Sequence, residues 1–517
     1  MLFNSPVFVL LFLPITLFGL FLAENFGSQR LAMVWLIIAS AFFYGWFKAI
    51  YLLLLASLIV FNYLCGAKLS RDCQLGRPRR ALLVFGIAVN FGVLAYFKYK
   101  NFFLDNANHL LGTHFSLGVV LLPLGISFFI FQKIAYLADS YKGETSSYTP
   151  LEFALFVMYF PQLIAGPIVH HSELIPQLRQ RLRISPAALS AGLCLFTVGL
   201  LKKTVLADPL AHLVDVLFGV VAAGQGVSFL GSWCAAVGFT FQIYFDFSGY
   251  TDMALGLALM MGVRLPLNFD SPYKALNVID FWRRWHMTLS RFLRDYVYIP
   301  LGGNRRGEPR RYVNLMITML LGGLWHGAGW TFVGWGGLQG LYLVVNHGWE
   351  RARQQHRFVK PTLATRVASR AFTFLAVVVS WVFFRAPDFT VAATLLKGMV
   401  GHYGFSGVSA AAATNIPLVA THGFRMIVAI LAILLVAVWT LPNSQEIVGA
   451  FRSAQSPTKD VSSARAPFFT RLGLMERGVQ LSLSASSGVI AGAALVGAMI
   501  FQSMRSTTLQ QFIYFQF

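Results

Sequence analysis

The uncharged run at residues 49–67, AIYLLLLASLIVFNYLCGA, decides the fold class of this chain. A helix of about 20 apolar residues crosses the hydrocarbon core of a bilayer, and this run has that length. The next residues, 68–80, carry five Lys and Arg side chains against one Asp. Because strongly basic loops stay on the cytoplasmic side, the run predicts a membrane-spanning helix that ends in the cytoplasm.

Apolar runs of this kind recur along the whole chain. Hydrophobic residues make up 56% and charged residues 12% of the 517 residues, whereas about a quarter of an ordinary soluble protein is charged. A water-soluble globular enzyme is therefore excluded. The composition predicts an all-α fold, a polytopic integral membrane helical bundle that forms a single domain over residues 1–517. The other clear runs lie at residues 2–23, 31–47, 81–97, 117–131, 151–168, 187–201, 227–245, 253–263, 315–325, 330–345, 371–384, 426–441 and 479–501.

Some of these runs are too short to cross a bilayer as continuous helices. The run 315–325 has eleven residues, and a helix of that length extends about 16 Å against a core of about 30 Å. Interrupted backbone at membrane depth survives only where it packs inside protein or lines a cavity. We therefore expect half-helices and re-entrant segments among the full spans.

The net charge of +21 fits membrane topology better than nucleic-acid binding. A nucleic-acid-binding protein carries its basic residues on a solvated face over an ordinary core, which this composition lacks. Counting three spans back from the basic loop predicts an extracytoplasmic N-terminus, with the run 2–23 as a retained helix rather than a signal peptide. The basic segment 347–370 is also expected in the cytoplasm, and the polar region 451–477 is expected to be a mobile loop.

An amphipathic pattern covers residues 278–299. At about 100° per residue its apolar side chains, Trp285 among them, fall on one side and its arginines on the other. This pattern predicts an interfacial helix, which would usually lie at the lipid headgroups. A second interpretation adds the phosphates of an activated donor such as acyl-coenzyme A, because guanidinium groups bind phosphate well. The residues of that donor site would be Arg283, Arg284, Arg291, Arg294, Asn304 and Arg305.

His326 is the strongest candidate for a catalytic group. It follows the short run 315–325 and lies between Gly323 and Gly327, which would let a substrate approach closely. Ionisable side chains at membrane depth mark functional sites by default, and histidine can act as a base near neutral pH. We therefore expect His326 in a watery pocket that a substrate can reach, although a single histidine in a soluble core is more often structural.

A third cluster lies in the sequence QIYFDFSGYTD at residues 242–252. Asp246 with Tyr250, and Ser248 with Asp252, would form i,i+4 pairs on two faces of a helix. Buried polar groups cost several kcal/mol unless they are paired. The cluster is therefore either a polar network that closes a kinked helix or, together with Gln242, part of a substrate channel.

Metal and cofactor chemistry find little support in the sequence. His170 and His171 stand beside Glu173, but no third ligand is evident, and we interpret them as loop residues. The four cysteines are scattered, so we predict no disulfide framework, no metal site and no permanently bound cofactor. No phosphate-binding glycine loop and no GxSxG motif occurs.

Several of these blocks resemble the membrane-bound O-acyltransferase (MBOAT) family, and in particular its bacterial branch for alginate and cellulose O-acetylation. The best matches are FWRRWHMTLS at residues 281–290 and GGLWHG at residues 322–327. Supporting blocks lie at residues 160–167, 242–253, 298–305 and 512–517. Because the blocks occur in order over nearly the whole chain, the resemblance is specific.

The resemblance implies a funnel-shaped bundle with a central catalytic histidine, His326, that is reachable from both membrane faces. His286 matches the second characteristic histidine, and Trp285 and Trp325 would line the substrate channel. The donor would be a cytoplasmic acyl thioester, acetyl-coenzyme A being the expected one. The acetyl group would cross the bacterial inner membrane toward periplasmic SGNH-hydrolase-like partners of a polysaccharide synthesis complex.

In this hypothesis neutral His326 takes the proton from an acceptor hydroxyl, or from a partner or intermediate nucleophile, as it attacks the thioester carbonyl. His286 would orient the donor or stabilise developing negative charge, and the sequence does not separate these two roles. A secondary transporter would also show broken helices and the intramembrane acids Asp246 and Asp252. A structural subunit of an exopolysaccharide export complex is a third alternative, and thioester consumption would distinguish the enzyme from both.

Overall fold

The computed structural model describes residues 1–118, 120–145, 147–355, 362–407, 415–416, 419, 422–449, 490–495, 497 and 512–513. Within these residues all regular secondary structure is helical and no strand occurs. Five of the described helices are long and apolar enough to cross a membrane: Phe8–Asn25, Ile50–Gln74, Arg80–Leu111, Pro186–Ala222 and Leu363–Arg385. The predicted all-α membrane fold is confirmed. The loop predicted at 451–477 lies outside the described residues.

The chain folds into two compact units. Unit 1 contains the described parts of residues 1–200, 250–267 and 483–517, and unit 2 those of residues 201–249 and 268–482. The expected single domain over residues 1–517 stays a prediction. Two long helices, α9 (Pro186–Ala222) and α10 (Phe229–Met260), contribute residues to both units.

Unit 1 begins with three helices that lead into the basic segment. Residues 68–74 of that segment form the last turns of the third helix, so the connection to the fourth is shorter than the sequence indicated. In chain order, the helices that lie wholly in unit 1 are α1 (Phe8–Asn25), α2 (Gln29–Gly45), α3 (Ile50–Gln74), α4 (Arg80–Leu111), α5 (Ile126–Tyr141), α6 (Pro150–Met158), α7 (Phe160–Leu163) and α8 (His171–Arg179).

A broken helix does occur in unit 1, but at a different run from the one predicted. The run 151–168 is interrupted at Tyr159, between α6 and α7. The polar groups freed by the break find partners inside the unit: the Phe160 N–H donates to Ser40 Oγ at 3.2 Å, and Gln162 Nε2 donates to the Phe156 carbonyl at 2.5 Å. Buried partners of this kind are what allows interrupted backbone in an apolar surrounding.

Unit 2 contains the remaining helices and corrects three predictions. The run 315–325 is not a half-helix but the end of a 19-residue helix, about 28 Å long, because the polar residues before it are helical too. The segment 278–299 is not one continuous interfacial helix but is interrupted at residues 283–286. Residues 347–355 of the expected basic linker are helical. The helices are α11 (Val278–Trp282), α12 (Met287–Leu293), α13 (Glu308–His326), α14 (Trp330–Gln355), α15 (Leu363–Arg385), α16 (Phe389–Met399), α17 (Phe424–Thr440) and α18 (Ser444–Val448).

Glycines set the close packing of α13 against α14. A Cβ atom at Gly323 would overlap the carbonyl oxygen of Phe332, and one at Gly336 would overlap that of Met319. A Cβ atom at Gly327 would overlap the Phe332 ring. Gly323 and Gly327, which we expected to admit a substrate, are therefore explained by the approach of the two helices that hold His326.

A buried lysine joins α9 to α10 in unit 2. Lys203 Nζ lies 2.6 Å from an Asp246 carboxylate oxygen and 2.8 Å from one of Asp208. The side chains of Lys203 and Asp246 are each only 3% exposed. Breaking a buried ion pair from one side leaves an uncompensated charge, which is far more costly than the pair is stabilising.

Replacing Gly323 with Ala is expected to destabilise the protein by about 1–3 kcal/mol, because overpacking forces the backbone of α13 and α14 apart. Gly219→Ala in α9 is the matched control, since nothing lies within 4 Å of a Cβ atom there. The melting temperature of each variant in detergent, measured by size-exclusion chromatography after heating, checks this. Equal melting temperatures for the two variants would contradict the packing role of Gly323.

Lys203→Met is expected to destabilise the protein by about 3–5 kcal/mol, because it strands the buried Asp246 carboxylate. The double variant Lys203→Met/Asp246→Asn should regain part of this loss, since the stranded charge is gone. Lys397→Met removes an exposed lysine of α16 and serves as the control. The same heating assay applies, and a Lys203→Met protein as stable as the control would show that the ion pair does not hold the two helices.

Candidate active site

His286 occupies a strained turn between α11 and α12. Its φ of +43° is left-handed, and among the described non-glycine residues only Ser271 shares a positive φ. Two backbone hydrogen bonds to a neighbouring loop hold the turn: the Met287 N–H donates to the Asn268 carbonyl, and the Asp270 N–H to the Arg284 carbonyl, both at 3.0 Å. These bonds replace helical ones, which explains why the segment is not a continuous helix. Strain of this kind clusters at functional sites.

The Asn268 side chain binds the histidine directly. Asn268 Oδ1 lies 3.0 Å from His286 Nδ1 and accepts hydrogen bonds from Thr288 Oγ1 at 2.9 Å and from the Thr288 N–H at 3.3 Å. Asn268 and His286 are both fully buried. Sequence reasoning missed Asn268, whose only local signal is a polar residue in a buried loop eighteen positions before the histidine.

His326 is the last residue of α13, and the structure brings it next to His286. The centroids of the two rings are 6.5 Å apart. Even with nitrogens facing each other, roughly 4 Å would separate them, which exceeds a hydrogen-bond distance. The two imidazoles can therefore act on one group between them without bonding to each other directly.

Aromatic side chains enclose His326. Its ring contacts those of Trp325 at 4.8 Å, Phe384 at 5.1 Å and Trp335 at 5.2 Å between centroids. Only 4% of the residue is exposed. Aromatic rings are thus the immediate neighbours of the imidazole, and the expected watery pocket stays a prediction.

The aromatic wall continues away from the histidines. Trp335 stacks on Trp381 at 5.5 Å, and Trp381 contacts Trp285 at 5.1 Å. Trp285 in turn stacks on Phe281. The predicted channel residues Trp285 and Trp325 thus lie in this wall, both buried.

A buried glutamine that sequence reasoning missed ties three helices behind the wall. The Trp282 indole N–H donates to Gln339 Oε1 at 3.1 Å, and Gln339 Nε2 donates to Ser380 Oγ at 2.8 Å. Gln339 is fully buried. Its sequence signal is a single amide inside the apolar run 330–345, and its bonds fix α11, α14 and α15 around the site.

The six predicted donor-binding residues do not form one stripe. Arg284 binds Asp280 at 2.9 Å, and Arg294 binds its neighbour Asp295 at 2.7 Å. Asn304 Oδ1 accepts the Tyr298 hydroxyl, and Arg291 is half-buried. The two that are exposed and make no ion pair with a described residue are Arg283 and Arg305.

The predicted channel residues of α10 divide into two groups. The helix is continuous over them, from Phe229 to Met260. Asp246 belongs to the Lys203 ion pair, and Phe247 after it touches His286 with a ring separation of 4.8 Å. Gln242 and Ser248 are buried in unit 2, each with a side-chain oxygen that finds no hydrogen-bond partner among the described residues. The other group, Tyr250 and Asp252, belongs to unit 1, where Tyr250 stacks on Phe3.

Asp139 in unit 1 is the third group that we did not find beside His170 and His171. Its Oδ2 lies 2.8 Å from His170 Nε2 and 3.0 Å from His171 Nε2, so one metal ion could reach all three side chains. The interpretation as loop residues is wrong for His171, which is the first residue of α8, whereas His170 precedes the helix as its N-cap.

The hydrogen bonds of this cluster indicate that a proton, and not a metal ion, lies between His170 and Asp139. The Ser172 N–H donates to His170 Nδ1 at 3.3 Å, so the proton of a neutral ring is on Nε2 and faces Asp139. Lys142 Nζ binds the other Asp139 oxygen at 2.7 Å. Burial lowers the pKa of His171, which keeps that ring neutral. The cluster is thus accounted for as a network that joins α5 to α8.

Comparison with known proteins agrees with the geometry of unit 2. Residues 82–386 match the model of MBOAT, the membrane-bound O-acyltransferase family. The chain is 44% identical over 434 residues to a peptidoglycan O-acetyltransferase of Helicobacter pylori, covering 78% of this chain and 81% of the relative. It is 42% identical over 404 residues to the probable alginate O-acetylase AlgI of Pseudomonas putida, covering 77% and 80%. It is 35% identical over 526 residues to the corresponding protein of Azotobacter vinelandii, covering 100% of both.

The matched segment contains both histidines, the Asn268 loop and the helices α13 and α14. The transporter and scaffold alternatives find no support in these relatives, which are named as acetylating enzymes. The chain belongs to the membrane-bound O-acyltransferase family and is itself an O-acyltransferase.

Proposed function

We propose that this enzyme takes an acetyl group from acetyl-coenzyme A on the cytoplasmic side and passes it across the bacterial inner membrane for O-acetylation of a polysaccharide. The observation that carries the proposal is the pair of buried imidazoles, His286 and His326, 6.5 Å apart inside an aromatic wall. The relatives named for alginate and peptidoglycan support an extracytoplasmic polymer. We propose an exopolysaccharide, alginate or cellulose, delivered through periplasmic SGNH-hydrolase-like partners.

His326 is the general base in this proposal. Its neutral ring removes the proton from the attacking hydroxyl as the oxygen bonds to the thioester carbonyl carbon. The carbon–sulfur bond then breaks, and the imidazolium returns the proton to the leaving thiolate. The aromatic wall excludes bulk water from this position, which protects the thioester from hydrolysis.

The donor site combines the exposed guanidinium groups of Arg283 and Arg305. Exposed cations without a carboxylate partner can bind the phosphates of coenzyme A, whereas Arg284 and Arg294 are already neutralised by neighbouring carboxylates. We therefore propose that the donor binds on the cytoplasmic side. Because strongly basic loops stay on that side, the N-terminus is periplasmic, three helices before the basic residues that end α3.

His326→Ala is expected to lower acetyl transfer by about 10²–10⁴-fold, because general-base catalysis contributes that much. Membrane vesicles with exposed cytoplasmic faces would be given ¹⁴C-acetyl-coenzyme A, and free thiol and labelled polymer measured. His212→Ala, an exposed histidine of α9, is the control and should retain wild-type turnover. Full transfer by His326→Ala at equal protein level would reject His326 as the general base. Flux of a substrate without thioester consumption would reject the proposed acetyl transfer.

Removing the guanidinium groups of Arg283 and Arg305 is expected to weaken donor binding and leave the chemical step unchanged. Arg283→Ala and Arg305→Ala should each raise the KM for acetyl-coenzyme A by about 10–100-fold, the value of one hydrogen bond to a charged group. Their kcat should stay within about twofold, since neither group contacts the reacting atoms in this proposal. Arg425→Ala, an exposed arginine of α17, is the control. Unchanged KM values in both variants would place the donor phosphates elsewhere.

A further inference from the structure

The Asn268 side chain settles which nitrogen of His286 carries the proton. Its Oδ1 faces a backbone N–H, a hydroxyl and an imidazole nitrogen, the first two from Thr288. A backbone N–H can only donate, so the amide atom opposite it must be the oxygen and not the NH₂ group. The same oxygen therefore faces His286 Nδ1, and an amide oxygen can only accept.

It follows that His286 Nδ1 is the donor of this hydrogen bond. A neutral imidazole carries one proton, so Nε2 holds the lone pair. A neutral His286 in this state can accept a hydrogen bond or a proton at Nε2 but cannot donate one from there. This separates the two roles that the sequence left open, because stabilising negative charge on a carbonyl oxygen requires a donor.

The surroundings hold the ring in this arrangement. The left-handed backbone of His286 and the hydrogen bond from the Met287 N–H to the Asn268 carbonyl fix the distance between the two residues. The edge-on contact with Phe247 at 4.8 Å restricts rotation of the imidazole. With Asn268 and His286 both fully buried, bulk water does not compete for Nδ1.

We propose that Asn268 is a positioning residue that keeps His286 in the Nδ1–H form, so that His286 acts through Nε2 as a hydrogen-bond acceptor for the attacking hydroxyl. This inference rests on the proposed function and adds to it. The bound hydroxyl first donates its single hydrogen bond to His286 Nε2, which holds the oxygen in place. As the oxygen attacks the thioester carbonyl carbon, the O–H turns from His286 to His326, the base, which takes the proton. The negative charge that develops on the carbonyl oxygen is then stabilised by a group other than neutral His286.

The test compares three variants of the full-length protein in membrane vesicles with ¹⁴C-acetyl-coenzyme A. Asn268→Leu keeps the volume of the side chain but cannot accept a hydrogen bond. Asn268→Asp keeps an acceptor for all three donors and removes only the NH₂ group, which has no hydrogen-bond partner among the described residues. Thr288→Val removes one donor to Asn268 and leaves the bond to His286 in place.

Asn268→Leu should lower kcat by about 100-fold or more with little change in KM, because the ring is free to adopt the wrong tautomer. Asn268→Asp should restore most of kcat. Its carboxylate also favours a charged imidazole, so the pH at half-maximal activity should move upward relative to wild type. Thr288→Val should stay within about threefold of wild type, as its loss is one ordinary hydrogen bond.

Three results would overturn the positioning role. The first is an Asn268→Asp protein that is folded yet as inactive as Asn268→Leu at every pH, which would mean that the NH₂ group matters and the oxygen does not. The second is equal losses of kcat in Asn268→Leu and Thr288→Val that follow their melting temperatures, which would mean a structural role. The third is an Asn268→Leu protein with wild-type kcat, which rejects this role alone, whereas absence of turnover by the wild type rejects the proposed function together with it.

Discussion

The absence of water at membrane depth is the constraint on which this structure depends. A polar group there must find its partner inside the protein, because an unpaired one costs several kcal/mol. Three buried polar groups of unit 2 meet that constraint through partners inside the protein. They are Lys203 with Asp246 and Asp208, Gln339 with Trp282 and Ser380, and Asn268 with His286. Each of them joins segments far apart in the sequence. The same requirement that makes these groups expensive therefore also fixes the helices around the two histidines.

Hydropathy alone predicted the class of fold, since long uncharged runs have few alternatives to crossing a bilayer. It failed where a helix leaves the apolar region: α13 begins seven residues before the run 315–325, in sequence that is polar but still helical. Periodicity failed at residues 278–299 because no local pattern reports the hydrogen bonds from the loop at Asn268 that interrupt the helix. Lys203 and Asp139 escaped notice for a related reason, since each gains its meaning from a partner more than thirty residues away.

The approach of His286 to His326 could be expected only from the resemblance to a family, because forty residues separate them. The structure explains it by three local causes: glycines that let α13 and α14 pack closely, a turn that breaks the helix before His286, and aromatic rings that fill the space between the elements. None of these features is chemically reactive. In the proposed reaction they matter because a thioester reacts with water unless water is excluded, and the rings that hold the imidazoles in place would also exclude it.

The strain at His286 links stability to activity. A left-handed backbone at a residue with a Cβ atom costs on the order of 1–3 kcal/mol. Packing alone does not require that conformation at His286. If residues 278–299 formed the continuous helix that their pattern favours, His286 would bond along that helix and the Asn268 loop would have no open turn to bind. The strained turn is therefore required for the proposed Nδ1–H form of His286. It lowers the local stability of the chain, and it allows Asn268 to hold the imidazole with the lone pair on Nε2.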